Sequence, residues 1–384
     1  MKTSLSSIDL RVLVGELDGM LAGSRFDKAY SLSDKGMRLR FHSSGLGSRD
    51  VVVEPEFLSV TSFEHPQLES LGGFAMSLRK HLEGLFLRSV EQHELDRIVE
   101  FYFEGKSSRF TLVAELFSKG NVILLDEDRK IVSILERQAW KDRILTPKSE
   151  YKYPPSSENP FSIKVEKLKA LMRDSEKNVA SVIASLGLGG FYAEEICLKA
   201  NVDKTVKAGA LGESELERVY EGLRWLLEST VKKPKPSIVL DANGDYLDVI
   251  PFDFETYRKN NLKSFPSFNN AVDEYFSHAR SREISGESER SFKKKEEKLL
   301  VMKAKQGEAL ERLKSEAEEF RRVGDLIYQN LGLVENIVKQ IESARGRGLK
   351  DEEINQRFSE GRKKGIPESL VFKRLERNKL ILEL

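Results

Sequence analysis

The sequence predicts a multidomain α+β protein: a β-rich N-terminal domain, a helical domain built on a glycine turn, and a long coiled-coil arm. Three observations predict it. Between residues 37 and 135 apolar and polar residues alternate with a period of two, interrupted by one helical stretch. From residue 164 the period becomes helical, and Gly187-Leu188-Gly189-Gly190 splits it. Beyond residue 287, Leu310, Leu313, Ala317, Phe320, Gly324, Ile327, Leu331, Val334, Val338 and Ile341 keep a three-four spacing that only Gly324 breaks.

A first helix is expected over residues 6–22. Ser6 stands at its cap with Asp9 three residues on, the spacing of a capping box. Leu10, Leu13, Val14, Leu17 and Leu21 form its apolar stripe, and Gly23 ends it. Strands follow at 37–42, 51–54, 58–62, 85–90, 98–103, 109–116, 122–125 and 131–135. The strands at 109–116 and 122–125 read as a hairpin through Lys119-Gly120-Asn121. An amphipathic helix over 73–83 interrupts the series. Residues 1–163 therefore make an antiparallel sandwich or partly closed barrel, ending in a linker rich in Pro and Ser.

Residues 164–235 form the helical domain. One helix ends near Leu186, a second spans 191–200 and a third 213–230. Residues 236–286 hold a hairpin, 238–240 with 246–250, around Asn243-Gly244, and a connector. Residues 287–384 carry the coil, whose seam requires a returning helix or a partner chain to cover it. Two short helices are expected over 349–379, split at Gly365-Ile366-Pro367. The run Lys379-Leu380-Ile381-Leu382-Glu383-Leu384 is strand-like with no later partner, so the sequence is expected to be part of a longer protein.

Composition narrows the function. The chain has 63 basic and 62 acidic residues, so any nucleic-acid site must come from local patches rather than bulk charge. Residues 339–379 supply one such patch, with 12 basic and 7 acidic side chains. No run approaches the roughly 18 apolar residues of a membrane helix, and no secretory segment is read. One cysteine, Cys197, excludes an internal disulfide and a multi-Cys zinc site and points to a reducing compartment, the cytoplasm. There is no phosphate loop, nucleophile elbow or zincin motif. His42, His65, His81, His93 and His278 do not cluster at metal-ligand spacing, so neither metal nor cofactor is expected.

Several residues carry two readings. The turn at Gly187, Gly189 and Gly190 suits a helix-hairpin-helix that lays its backbone N–H groups on a nucleic-acid phosphate, or a helical pair that only packs. Asp9 and Arg11 open the first helix, where an acid is stabilising in any case. Asp96-Arg97, just before a strand, is either a surface ion pair or an Arg meeting phosphate or base edge beside an Asp acceptor. For both to face one ligand they must sit in the loop, because successive strand residues point to opposite faces. Arg79 and Lys80 are solvated or touch phosphate. Arg357, Arg362, Lys363, Lys364, Lys373 and Arg374 are a solvated helical surface or a contact for ribosomal RNA.

Five stretches in order resemble the NFACT family, which includes nuclear export mediator factors, RqcH proteins and the so-called fibronectin-binding proteins A. They are Ser7-Ile8-Asp9-Leu10-Arg11, Phe74-Ala75-Met76-Ser77-Leu78-Arg79-Lys80-His81-Leu82, Leu95-Asp96-Arg97-Ile98-Val99-Glu100-Phe101, Ala114-Glu115-Leu116-Phe117-Ser118-Lys119-Gly120-Asn121-Val122-Ile123-Leu124 and Leu186-Gly187-Leu188-Gly189-Gly190-Phe191-Tyr192-Ala193-Glu194-Glu195.

The resemblance implies ribosome-associated quality control: binding a large ribosomal subunit that holds peptidyl-tRNA, and recruiting aminoacyl-tRNA, alanyl-tRNA in the bacterial case, for untemplated tailing of the stalled chain. The ribosome would form the peptide bond, so no enzyme is implied. Asp9, Asp96 and Arg97 fall on the family's tRNA-recruiting positions, and Arg11, Arg79 and Lys80 join them as candidate contacts. The resemblance also implies an N-terminal fold similar to that of formamidopyrimidine-DNA glycosylases, which makes DNA binding or repair the alternative. Those enzymes use an N-terminal proline amine, and Met1-Lys2-Thr3 departs from that pattern. The name of one branch raises a surface adhesin as a third reading, against which the absent signal segment counts.

Overall fold

A computed structural model describes residues 2–384 except 46, 66, 69–71, 118, 141–142, 156–158, 233 and 378; at 140 and 282–295 it describes the backbone alone. The chain forms two compact units, Met1–Ile284 and Ser285–Leu384.

The first unit is organised on α1 (Ser7–Leu21). Its capping box is closed: Ser6 Oγ accepts from Asp9 N at 3.1 Å, and Asp9 Oδ2 accepts from Ser6 N at 2.8 Å. Its apolar residues surround most of the helix, which marks one buried on several sides.

Strands β1 (Arg25–Ser31), β2 (Met37–Ser43), β3 (Gly47–Val53) and β4 (Leu58–Thr61) follow, then α2 (Gly73–Leu82). Next come β5 (Phe86–Gln92), β6 (Ile98–Glu104), β7 (Arg109–Glu115), β8 (Asn121–Leu125) and β9 (Ile131–Ile134). These nine make one antiparallel sheet in the order β4-β3-β2-β1-β5-β6-β7-β8-β9. A short pair, β10 (Gln138–Trp140) and β11 (Arg143–Leu145), stands apart.

Strand β1 was not expected, and a bulge explains why. Its register to β2 shifts between Phe26 and Lys28, so the buried Phe26 and Ala29 lie three residues apart and hide the two-residue period. Strands β6 to β8 are apolar on both faces for a reason: Val99, Leu112 and Leu124 join the main core, whereas Ile98, Val113 and Ile123 pack with Leu145 and Tyr151 on the other side.

Helices α3 (Val165–Arg173), α4 (Val179–Ile183), α5 (Gly190–Ala200) and α6 (Glu213–Ser229) form the helical part. Regular helix stops at Ile183 rather than near Leu186; residues 184–188 make a wider turn in which Gly187 has φ +85°. The segment expected as a hairpin is a three-stranded sheet. To β12 (Ser237–Leu240) and β13 (Tyr246–Ile250) it adds β14 (Asn261–Ser264), whose four residues are all exposed and so carry no apolar signal.

One hydrophobic cluster runs from Leu5 through Val179, Leu188 and Leu223 to Val249 and Phe276. The domain boundaries expected at 163 and 235 therefore do not interrupt this cluster. Helix α7 (Phe268–Gln329) begins in this unit, where Glu16 caps it by accepting from Phe268 N at 2.9 Å and Asn269 N at 2.7 Å.

The second unit divides the helix expected for the coil. Helix α7 ends at Gln329 and α8 (Leu331–Gly346) restarts after Asn330, which has φ −110° and ψ +24°. The break resets the buried face: Ile337 and Ile341 are buried, but Val338, expected in the seam, is 38% exposed. Upstream, Leu310, Leu313 and Phe320 are exposed. After α9 (Asp351–Lys363), the second short helix, α10, spans only Pro367–Val371. Residues expected to extend it form β15 (Phe372–Glu376), and β16 (Lys379–Leu382) pairs back onto it. The strand-like end thus has an earlier partner instead of a later one.

Among the described residues no helix is long and apolar enough to cross a membrane.

Candidate functional site

Asp96 and Arg97 sit in the turn between β5 and β6, as the alternation argument required. The turn is drawn tight by Asp96 N donating to His93 O at 2.9 Å and His93 N donating to Ile98 O at 3.0 Å, with Glu94 at φ +46°. The buried amide of Gln92 fastens it to α1: Nε2 donates to Asp96 O at 2.9 Å and to Ser7 O at 2.8 Å. Ser7 Oγ in turn donates to Gly187 O. Sequence reasoning passed over Gln92 and Ser7, because a polar residue at a strand end or in a helix first turn has no distinguishing spacing.

These ties bring three distant segments to one cleft of about 550 Å³. Ser4 to Ser7 form one side, Leu95, Asp96 and Arg97 the second, and Gly187, Leu188 and Gly189 the third. Of the two readings of Asp96-Arg97, the ion pair between its own side chains is not formed. Among the described residues Arg97 Nη1 has only long contacts, 3.4 Å to Ser4 Oγ and 3.5 Å to Leu5 O. Asp96 Oδ2 is shielded from solvent with no hydrogen-bond partner. Burial lifts the Asp96 carboxyl above its ordinary range, opposed by His93 and aided by Glu94. Burial alone pulls the Arg97 guanidinium down, though arginine stays charged at neutral pH. A cation and an acceptor lacking strong partners, half-sunk in a cleft, are groups waiting for complementary ones.

The glycine wall is open. Gly189, at φ +81°, caps α5 with no side-chain hydrogen bond, and a Cβ added at Gly189 or Gly190 would meet nothing within 4 Å. The first-turn N–H groups of α5 thus have no side-chain cap, and the helix dipole favours an anion there.

Asp9 is placed differently from the expectation of a ligand contact. It is 0% exposed, and its carboxylate is fully engaged. Oδ2 accepts from Ser6 N and Oγ, both at 2.8 Å, and lies 3.0 Å from Lys2 Nζ. Oδ1 accepts from the Tyr192 hydroxyl at 2.6 Å. Lys2 also pairs with Asp248 at 3.2 Å and donates to Val249 O at 2.8 Å. Burial opposes the Lys2 charge, but the two carboxylates outweigh it and hold the amine protonated. Burial, then Asp9, pushes the Tyr192 phenol well above its ordinary range. Asp9 thus joins α1, α5 and β13, and it lines a second cavity of about 400 Å³ with Ser6, Gly189 and Gly190.

Other expected contacts lie off the cleft. Arg11 is exposed, with its guanidinium 5.2 Å from the Phe161 ring centre. Arg79 donates to Ala29 O at 2.9 Å and stacks on Tyr30, and Lys80 is exposed. In the second unit Arg362 donates to Ser369 O at 3.2 Å and to Phe372 O, so it holds the fold. Lys373 approaches Glu383 at 3.6 Å, and Arg374 pairs with Glu376 at 3.1 Å. Lys363 and Lys364 are exposed, and Arg357 lines a cavity of its own.

Among the described residues, one group of His and carboxylate side chains converges closely enough for a metal: His93, Glu94 and Asp96, whose ligand atoms lie within 4.8 Å of one another. The histidine-spacing argument did not anticipate it, because two of the three are acids. The His93 ring is stacked on Tyr153 at 3.5 Å between centroids.

Comparison with known proteins follows this geometry. Residues 6–345 match the family model described as NFACT N-terminal and middle domains. The chain is 33% identical over 358 residues to the archaeal Rqc2 homolog aRqcH of Methanocaldococcus jannaschii, covering 90% of this chain and 53% of that protein. It is 26% identical over 403 residues to the human ribosome quality control complex subunit NEMF, covering 98% of this chain and 37% of that one. The chain thus spans about half or less of these relatives. The N-terminal structure of the fibronectin/fibrinogen-binding protein from Streptococcus suis superposes with a TM-score of 0.58 at 22% identity, over 72% of this chain and all of that one, which establishes the fold alone.

Proposed function

The chain belongs to the NFACT family, and from that premise we propose that it is a ribosome-associated quality control factor whose cleft holds tRNA. In this reading it binds, in the cytoplasm, a large ribosomal subunit that carries peptidyl-tRNA. It recruits aminoacyl-tRNA, alanyl-tRNA in the first instance, for untemplated tailing of the stalled chain. The ribosome forms the peptide bond, and this chain contributes binding rather than catalysis. The pair α4 and α5 acts as a helix-hairpin-helix, and α7 contributes one helix of a coiled coil.

The observation that carries the reading is the meeting of Asp96, Arg97 and the open glycine turn in one cleft. Among the described residues the Arg97 guanidinium fork has no carboxylate partner, which suits it to phosphate or a base edge. Asp96 offers an acceptor for a base amino group. The N–H groups at the start of α5 suit a backbone phosphate.

The test is tRNA affinity across a salt series for the protein and for Arg97→Ala and Asp96→Ala. A hydrogen bond to a charged group contributes about 1.5–3 kcal/mol, so Arg97→Ala is expected to weaken binding roughly tenfold or more. Its salt slope should become shallower by about one counterion. Unchanged affinity in both variants would remove the cleft as the site.

A further inference from the structure

The second unit holds a cavity that the proposed function leaves unused. It measures about 470 Å³, within the range of about 300–1,000 Å³ typical of small-molecule sites. It lies between α8 and α9 and is closed by the first turn of α10. Helical spacing builds it: Lys339 and Ser343 share one face of α8, Arg347 follows at its C-cap, and Ile354, Arg357 and Phe358 lie along one face of α9.

Its lining has two zones. The rim carries Lys339, Arg347 and Arg357, and no carboxylate is among the described residues that line the cavity. Among the described residues Arg347 and Arg357 have no acidic partner, and Lys339 comes only within 3.8 Å of Glu335. The floor is apolar, made by Ala344 with the buried Ile354 and Phe358, and the exposed Ile366 adds apolar surface to the lining. Phe358 is fixed there by stacking on Phe372, with ring centroids 4.0 Å apart. The C-terminal end of α8 brings about half a negative charge to the site, which three cations outweigh.

We propose that this cavity takes a single unpaired nucleotide of a folded RNA, its base against the apolar floor and its phosphate at the forks of Arg347 and Arg357. A flat apolar body with an anionic edge is the shape and polarity that the two zones complement. The exposed Lys363 and Lys364 at the end of α9 extend the cationic surface for the neighbouring phosphates. The choice of RNA over an acidic peptide rests on the proposed function, but the site is separate from the cleft at Asp96 and Arg97. Arg347 and Lys339 stood outside the expected contacts, because their meeting with Arg357 depends on how α9 folds back on α8.

The experiment uses the full chain carrying Asp96→Ala and Arg97→Ala, so that the cleft is disabled throughout. Binding of a ten-nucleotide single-stranded RNA, and of the same strand in a duplex, is followed by fluorescence anisotropy over a salt series. The single strand is expected to bind more tightly than the duplex. Adding Arg347→Ala and Arg357→Ala should lower single-strand affinity about tenfold and flatten the logarithmic salt slope by about 0.7, the value for the one phosphate the two arginines share. Ser343→Trp fills the cavity without changing charge and should weaken the single strand with the slope kept; circular dichroism confirms that it folds. Wild-type affinity in Ser343→Trp would reduce the site to a diffuse basic surface and overturn the proposal. So would equal binding of the duplex, an unchanged slope in the arginine variant, or displacement of the RNA by a Glu-Leu repeat peptide at lower concentration. Failure here leaves the cleft reading intact, because the cleft takes no part in this measurement.

Discussion

Asp9→Asn separates a residue that touches RNA from one that builds the site. The carboxylate is fully buried, paired with Lys2 at 3.0 Å and accepting from Ser6 and Tyr192. Breaking a buried ion pair costs about 3–5 kcal/mol. Lys2 keeps Asp248 at 3.2 Å, which places the loss near the lower end, about 3 kcal/mol. Weakening the capping box adds about 1 kcal/mol. The total is roughly 4 kcal/mol, or a drop in melting temperature of roughly 8 °C for a unit of this size. The assay is urea denaturation followed by circular dichroism, beside tRNA affinity measured at a temperature where the variant remains folded. Affinity should fall less than in Arg97→Ala. A variant with stability within about 1 kcal/mol of wild type that loses tRNA as completely as Arg97→Ala would refute the positioning role and restore Asp9 as a direct contact.

Two further outcomes follow from the titrating groups. Asp96 has a folded pKa raised above its ordinary 3.8 by burial, so its contribution is lost as pH rises through the folded value and the ionised group destabilises the free protein at neutral pH. Asp96→Asn should therefore raise the melting temperature at pH 7 while weakening tRNA binding; a lower melting temperature would contradict it. Lys2 and Tyr192 both have folded pKa values raised above their ordinary 10.5 and 10.0. Their stabilisation is complete below those values and is lost as pH rises through the folded ones, so the urea midpoint should fall above about pH 10. Tyr192→Phe should flatten that fall, and an identical alkaline profile in the variant would exclude the buried network as its source.

Much of the fold was legible because its signals are local. The capping box at Ser6 and Asp9, the alternation in β2, and the hairpin of β7 and β8 each depend on residues a few positions apart. The failures have physical causes too. The bulge at Asp27 breaks the period of β1. Strand β14 buries none of its residues and is held by pairing with β12. The helix break at Asn330 moves the buried face from Val338 to Ile337, a shift that a spacing argument carried unbroken through Leu331 does not register.

The site divides in the same way. Sequence by itself determined that Asp96 and Arg97 share a turn and that Gly187 and Gly189 open one, because backbone period and glycine conformation are settled within a few residues. Only the tertiary structure decided that these turns meet. Roughly ninety residues separate them, and α1 brings them together, with Gln92 hydrogen-bonded to Ser7 O on one side and Ser7 to Gly187 O on the other. The same packing decided the role of Asp9. A first-turn acid is equally at home capping a helix or facing a ligand, and only the fold shows that Tyr192 and Lys2 both reach the carboxylate of Asp9.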